Sequence, residues 1–136
     1  MYFCIVFRMI LKSKAIVLRS LKFGDSSLII DMFTELEGRI SFITRIPKTA
    51  KGKIKKQYFQ PLTLLDLEFD YRPRTSLQRI KEVRILRPYG SIPFDPVKSA
   101  ILLFLSQFLY YVTRGEQQNA HLYNYICASM EWLDEA

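Results

Sequence analysis

Five stretches between Lys14 and Leu86 read as β-strands, two by their density of β-branched and apolar residues and three by a two-residue period, and turn residues separate them at regular intervals. KAIVLRSLKF and SLIIDMFTE flank the turn Gly24-Asp25-Ser26, and Gly38 turns the second stretch into RISFITRI. In that third stretch Ile40, Phe42 and Ile46 point one way, and Arg39, Ser41, Ile43 and Arg45 the other. PLTLLDLEFDY alternates most cleanly, with Leu65, Leu67 and Phe69 directed inward and Asp66, Glu68 and Asp70 outward. A turn around Pro73 leads into LQRIKEVRIL, whose alternation slips as a β-bulge would make it slip. Five short strands with such turns suit a small closed antiparallel barrel, because closure leaves no edge strand exposed.

The period changes to 3.6 after RPYGSIPFDP. Asp95 is placed to cap a helix whose first residue is Pro96, and Gly115 ends it. Ile101, Leu105, Phe108 and Val112 form its apolar stripe, widened by Leu102, Phe104 and Leu109. Asn119 caps a second helix carrying Leu122, Ile126, Met130 and Leu133. The fold class is therefore mainly β with a C-terminal helical hairpin. Residues 1–11 read as an extension, with Met1 and Met9 both candidate starts; 12–90 form the barrel and 91–136 the helical segment.

Charge divides the chain in the same place. Residues 1–90 carry 18 basic and 8 acidic side chains, whereas residues 91–136 carry 2 and 5. The basic part concentrates its charge between Gly38 and Leu65, a span with no acidic residue and seven basic ones: Arg39, Arg45, Lys48, Lys51, Lys53, Lys55 and Lys56. A cationic loop of this kind attracts a phosphate backbone by releasing its counterions. Tyr58 and Phe59 follow directly, either as stacking platforms for bases or as barrel core. Lys22, Arg72 and Arg74 are outer candidates for the same surface. A solvated surface loop and a grip for an acidic peptide tail are the competing uses of these lysines, and an RNA-binding barrel is a third.

Catalytic chemistry finds little footing. The single histidine, His121, falls inside the second helix without a local carboxylate, and no nucleophile elbow or phosphate-loop fingerprint occurs. No acid–base or nucleophile pair can be assembled, so the chain reads as a non-enzyme. Asp66, Glu68 and Asp70 share one strand face, and pairing with the basic residues of RIKEVR is a better use of them than a metal. Cys4 and Cys127 have no ligand spacing, which leaves no cofactor or zinc site and points to a reducing, cytoplasmic setting. The apolar start is shorter than a signal core of roughly 7–15 residues, and no stretch reaches the roughly 18 apolar residues of a membrane span.

The order of motifs resembles the RecO recombination-mediator family of bacteria. AIVLR opens the first strand, Phe23-Gly24-Asp25-Ser26-Ser27 follows, then Phe33-Thr34 with Gly38, the basic loop, and Gln60-Pro61-Leu62-Thr63-Leu64-Leu65-Asp66. Arg45-Ile46-Pro47 stands where the family shows Gly-Ala followed by a basic residue. The resemblance implies that the barrel is a five-stranded OB-fold and that the hairpin is a truncated part of a longer helical domain. It also implies binding to single- and double-stranded DNA, strand annealing, and RecA loading together with RecR and the single-strand-binding protein. A hairpin lacking the rest of its domain is expected to expose apolar surface and to self-associate.

Overall fold

The computed structural model describes residues 9–46 and 54–136. Five strands, β1 (Met9–Phe23), β2 (Ser27–Thr34), β3 (Gly38–Arg45), β4 (Leu64–Tyr71) and β5 (Leu77–Ile85), close into a barrel in the order β1-β2-β3-β5-β4. All neighbours are antiparallel except β3 and β5, which run parallel from Ser41 beside Leu77 to Ile43 beside Arg79. This is the five-stranded Greek-key order of an OB-fold. β1 begins at Met9, which pairs with Tyr71, so residues 9–11 belong to the barrel and not to an extension before it.

The strand alternation has the direct consequence read from the sequence: Leu65, Leu67 and Phe69 fill the interior with Ala15, Val17, Ile30, Met32 and Phe42. Phe42 and Phe69 meet edge to face at 5.0 Å. Two bulges shape the wall. One sits at Lys81 in β5, where Glu68 pairs with Glu82 but Phe69 with Ile80, in the strand whose alternation slips. The other sits at Leu18 in β1, where Val17 pairs with Met32 but Arg19 with Asp31. An extra residue turns two consecutive side chains to one side. Leu18 and Arg19 therefore both face outward, Leu18 under the helices and Arg19 onto open surface.

Helices α1 (Pro96–Val112) and α2 (Ala120–Glu135) cover the outside of the barrel at Ile16, Leu18, Phe33, Leu62 and Leu64. The caps are as the sequence places them. Asp95 accepts from the amides of Val97 and Lys98, and Asn119 from that of Leu122. α2 buries Ile126, Met130 and Leu133, as its period requires, and adds Tyr123. α1 differs. Its buried residues are Leu102, Ser106 and Tyr110, with Leu105 and Leu109 partly covered, whereas Ile101, Phe104, Phe108 and Val112 are exposed. Of the expected stripe only Leu105 packs, joined by Leu102 and Leu109 from its widening, and the rest faces out, Phe104 being 68% exposed. The helix is apolar nearly all round, so its period does not select a face. The small Ser106 allows close approach to the barrel, its hydroxyl bonded to Leu103 O at 2.8 Å.

The segment between barrel and helices is tied to the end of α2. The Asp134 carboxylate accepts from the amides of Gly90, Ser91 and Ile92 at 2.8–3.0 Å. Burial alone would raise its pKa, but these donors bring it down to about 2.

Candidate nucleic-acid interface

The outer faces of β1, β2, β3 and β5 meet in three registered rows. Phe23, Ser27 and Arg45 form the first; Leu21, Ile29, Ile43 and Arg79 the second; Arg19, Asp31, Ser41 and Leu77 the third. Alternate residues share a face about 7 Å apart, so the rows span about 13 Å along the strands. Leu21 and Phe23 are exposed, Phe23 by 53%, and Ile29 and Ile43 are half-buried between them and the arginines. Arg45 and Arg79 are exposed, and Arg19 reaches Asp31 at 3.8 Å. The face thus presents an apolar, partly aromatic centre between guanidinium groups. In OB-folds strands 2 and 3, with the β1–β2 and β4–β5 loops, form the surface that binds oligonucleotides.

The other residues singled out from the sequence fall around this face or away from it. Lys22 and Lys56 line a cleft of about 220 Å³ at the end of the barrel, together with Asp25, Ser26 and Ser27. Lys55 is exposed just before the short 3-10 turn Lys56–Phe59. Lys48, Lys51 and Lys53 lie outside the described residues. Arg72 and Arg74 are exposed in the β4–β5 turn, whose backbone Gln78 pins through Arg72 N, Arg72 O and Thr75 O. That turn leads into Leu77, so both arginines border the third row, far from Lys22.

Two residues take other roles. Arg39 donates to Tyr110 O at 2.7 Å and to Thr113 Oγ1 at 3.1 Å, at the carbonyl end of α1, where a cation is favoured. Burial lowers its pKa, opposed chiefly by the charge of Asp31. It is a strut between barrel and helix and not part of the open face. Tyr58 is half-buried against the barrel core and Phe59 is buried outright, plugging the barrel end. On the barrel face the exposed aromatic in register with a cation is instead Phe23, which shares its row with Arg45. Sequence reasoning passed over Phe23, Arg19 and Arg79; Arg19 and Phe23 face outward only because the bulge at Leu18 shifts the alternation that Ala15 and Val17 begin.

The acidic strand face is used for pairing. Arg84 of β5 binds Asp66 at 2.8 Å, and Lys14 and Lys12 of β1 stand opposite Asp66 and Glu68 in register. Among the described residues no group of three His, Cys, Asp or Glu side chains is arranged to hold a metal ion. No helix among them is long and apolar enough to cross a membrane.

The family profile described as Recombination protein O N terminal matches residues 9–89. A DNA repair protein RecO of Bacteroides fragilis is 50% identical over 126 residues, which are 93% of this chain and 52% of that protein. The RecO protein of Phocaeicola vulgatus is 42% identical over 127 residues, 93% of this chain and 53% of its own length. That of Flavobacterium psychrophilum is 36% identical over 125 residues, 91% and 52% respectively. The chain spans about half the length of the curated relatives it matches.

Proposed function

This chain belongs to the RecO family of DNA repair proteins, and from that premise we propose that it is a non-enzymatic DNA-binding module of recombinational repair. The observation that carries the reading is the three-row outer face, where arginines frame exposed Leu21 and Phe23. Arg45 and Arg79 take phosphates, and Phe23 receives a base, a contact worth roughly 1–3 kcal/mol. Lys22, Lys55 and Lys56 at the barrel end, and Arg72 and Arg74 at the opposite border, add sequence-independent attraction. A single strand engages both kinds of contact. A duplex keeps its bases stacked and engages only the cations, so it binds more weakly on this face.

Annealing follows from the same geometry, since a strand held by its backbone keeps its base edges free for a complement. Loading of RecA with RecR and the single-strand-binding protein is the wider role that family membership implies, in the cytoplasm. The chain also self-associates through the exposed stripe of α1.

Fluorescence anisotropy of labelled single-stranded and duplex oligonucleotides over a salt series tests this. Micromolar or tighter single-strand binding that falls log-linearly with salt is expected. Phe23→Ala should weaken the single strand more than the duplex, and Arg45→Glu should weaken both. Absence of binding at low salt, or salt-insensitive binding, would remove the proposal; preference for an acidic peptide would replace it with the interaction-module reading.

A further inference from the structure

Directly beyond the third row, three guanidinium groups surround one ring. The Cζ atoms of Arg19, Arg39 and Arg114 lie 4.1, 4.5 and 5.4 Å from the centre of the Tyr110 ring. Arg114 also lies 5.2 Å from the ring of Tyr111, which is 61% exposed. The negative charge nearby is insufficient. Asp31 is shared between Arg19 and the hydroxyl of Ser41, and the Glu116 carboxylate is engaged by Asn119 at 3.4 Å. Among the described residues Arg114 forms no ion pair. The Nε of Arg39 is buried without an acceptor, and Asp31, already shared, is also the chief negative charge acting on this guanidinium.

Like charges gathered this closely repel, and the Tyr110 ring offsets that only in part, each cation–π contact contributing about 0.5–2 kcal/mol. Arg39 is held by the end of α1, but Arg19 and Arg114 keep exposed donors. A phosphate fits this arrangement, because a guanidinium presents paired donors to phosphate oxygens. Tyr111 supplies an adjoining exposed ring. Arg19 belongs at once to the third row and to this cluster, so the two surfaces are continuous.

We propose that Arg19 and Arg114, organised around Tyr110 by the Arg39 strut, form a phosphodiester seat that continues the strand path from the barrel onto the C-terminal end of α1. This rests on the reading of the barrel face as a single-strand surface and adds a subsite on the helical segment. A strand long enough to cross the rows gains a phosphate contact there, with Tyr111 beside it for a base. A short strand is held by the barrel face alone.

The test is the salt dependence of binding of labelled thymidine oligonucleotides of about 4 and about 16 nucleotides, the limits of what one OB-fold covers. Arg114→Gln is the variant, since its side chain is exposed and among the described residues forms no ion pair and touches only the rings of Tyr110 and Tyr111. Loss of one phosphate contact should reduce the slope of log affinity against log salt by about 0.7 with the long strand and leave the short strand unchanged. Arg114→Lys should restore most of the slope. An unchanged slope with the long strand overturns the seat, and an equal fall at both lengths overturns the continuation. Failure of the underlying reading looks different: a parent chain that binds neither length overturns both proposals, whereas Arg45→Glu weakening both lengths while Arg114→Gln affects neither removes the seat alone.

Discussion

Replacing Gly38 by alanine should destabilise this fold far more than the same change at Gly24, although both glycines have left-handed backbones, with φ +73° and +66°. That conformation costs a residue with a Cβ about 1 kcal/mol at either position. At Gly24 a Cβ would meet nothing within 4 Å. At Gly38 it would lie 2.5 Å from Gln117 C, Gln117 O and Glu116 O. These are backbone atoms of the link between α1 and α2, which cannot rotate aside. The link must shift, lengthening the 2.9 Å bond from Arg39 N to Glu116 O, and such overpacking costs about 1–3 kcal/mol. The expected totals are about 3 kcal/mol for Gly38→Ala and about 1 kcal/mol for Gly24→Ala. For a domain of this size the larger loss lowers the melting temperature by about 10 °C. Urea unfolding followed by circular dichroism measures both, with the slope m unchanged if the loss is one of stability. Equal losses in the two variants would refute the close passage of the helical link over the β2–β3 turn.

Three further outcomes follow from the packing. Asp134→Ala removes the acceptor of three backbone amides and should cost about 1–2 kcal/mol, kept small by the carboxylate's exposure to water. Because the folded carboxyl titrates near 2, below its ordinary 3.8, its contribution is present above pH 3.8 and fades as pH falls through 2, so the variant should lose part of the parent's acid sensitivity in that window of a pH–stability profile. Burial pushes the Cys127 thiol up from its ordinary value, so alkylation at neutral pH, followed by peptide mass, should be slow at Cys127 in the folded chain and fast in denaturant. Phe104 and Phe108 stack at 6.3 Å on the exposed side of α1, and replacing both by serine should abolish concentration-dependent association in sedimentation velocity while leaving the melting temperature nearly unchanged.

What the sequence discloses here is what local chemistry decides. The Asp95 and Asn119 caps, the turns at Gly24, Gly38 and Pro73, the inward set Leu65, Leu67 and Phe69, and the slip in β5 each depend on neighbours a few residues away. The pairing of Asp66 with Arg84 was legible because strand alternation puts opposite charges on one face. The packing face of α1 was not legible, since a helix apolar on every side carries no preferred stripe, and the barrel selected Ser106 and Tyr110 for shape. Likewise β2 is apolar on both faces: Ile30 and Met32 enter the barrel, Phe33 lies under the helices and Ile29 joins the outer face. Nothing in the run SLIIDMFTE separates those duties. Arg39 looked like one more cation of the basic span, and only its 71-residue separation from Tyr110 closing in space reveals the strut.

Backbone amide shift mapping during titration with a thymidine oligonucleotide bears most directly on the central claim. Shifts that concentrate on Phe23, Ile29, Ile43, Arg45 and Arg79, and spread toward Arg19, would place the strand across the three rows. Shifts confined to the acidic strand of Asp66 and Glu68, or to the exposed side of α1 at Phe104 and Phe108, would contradict it.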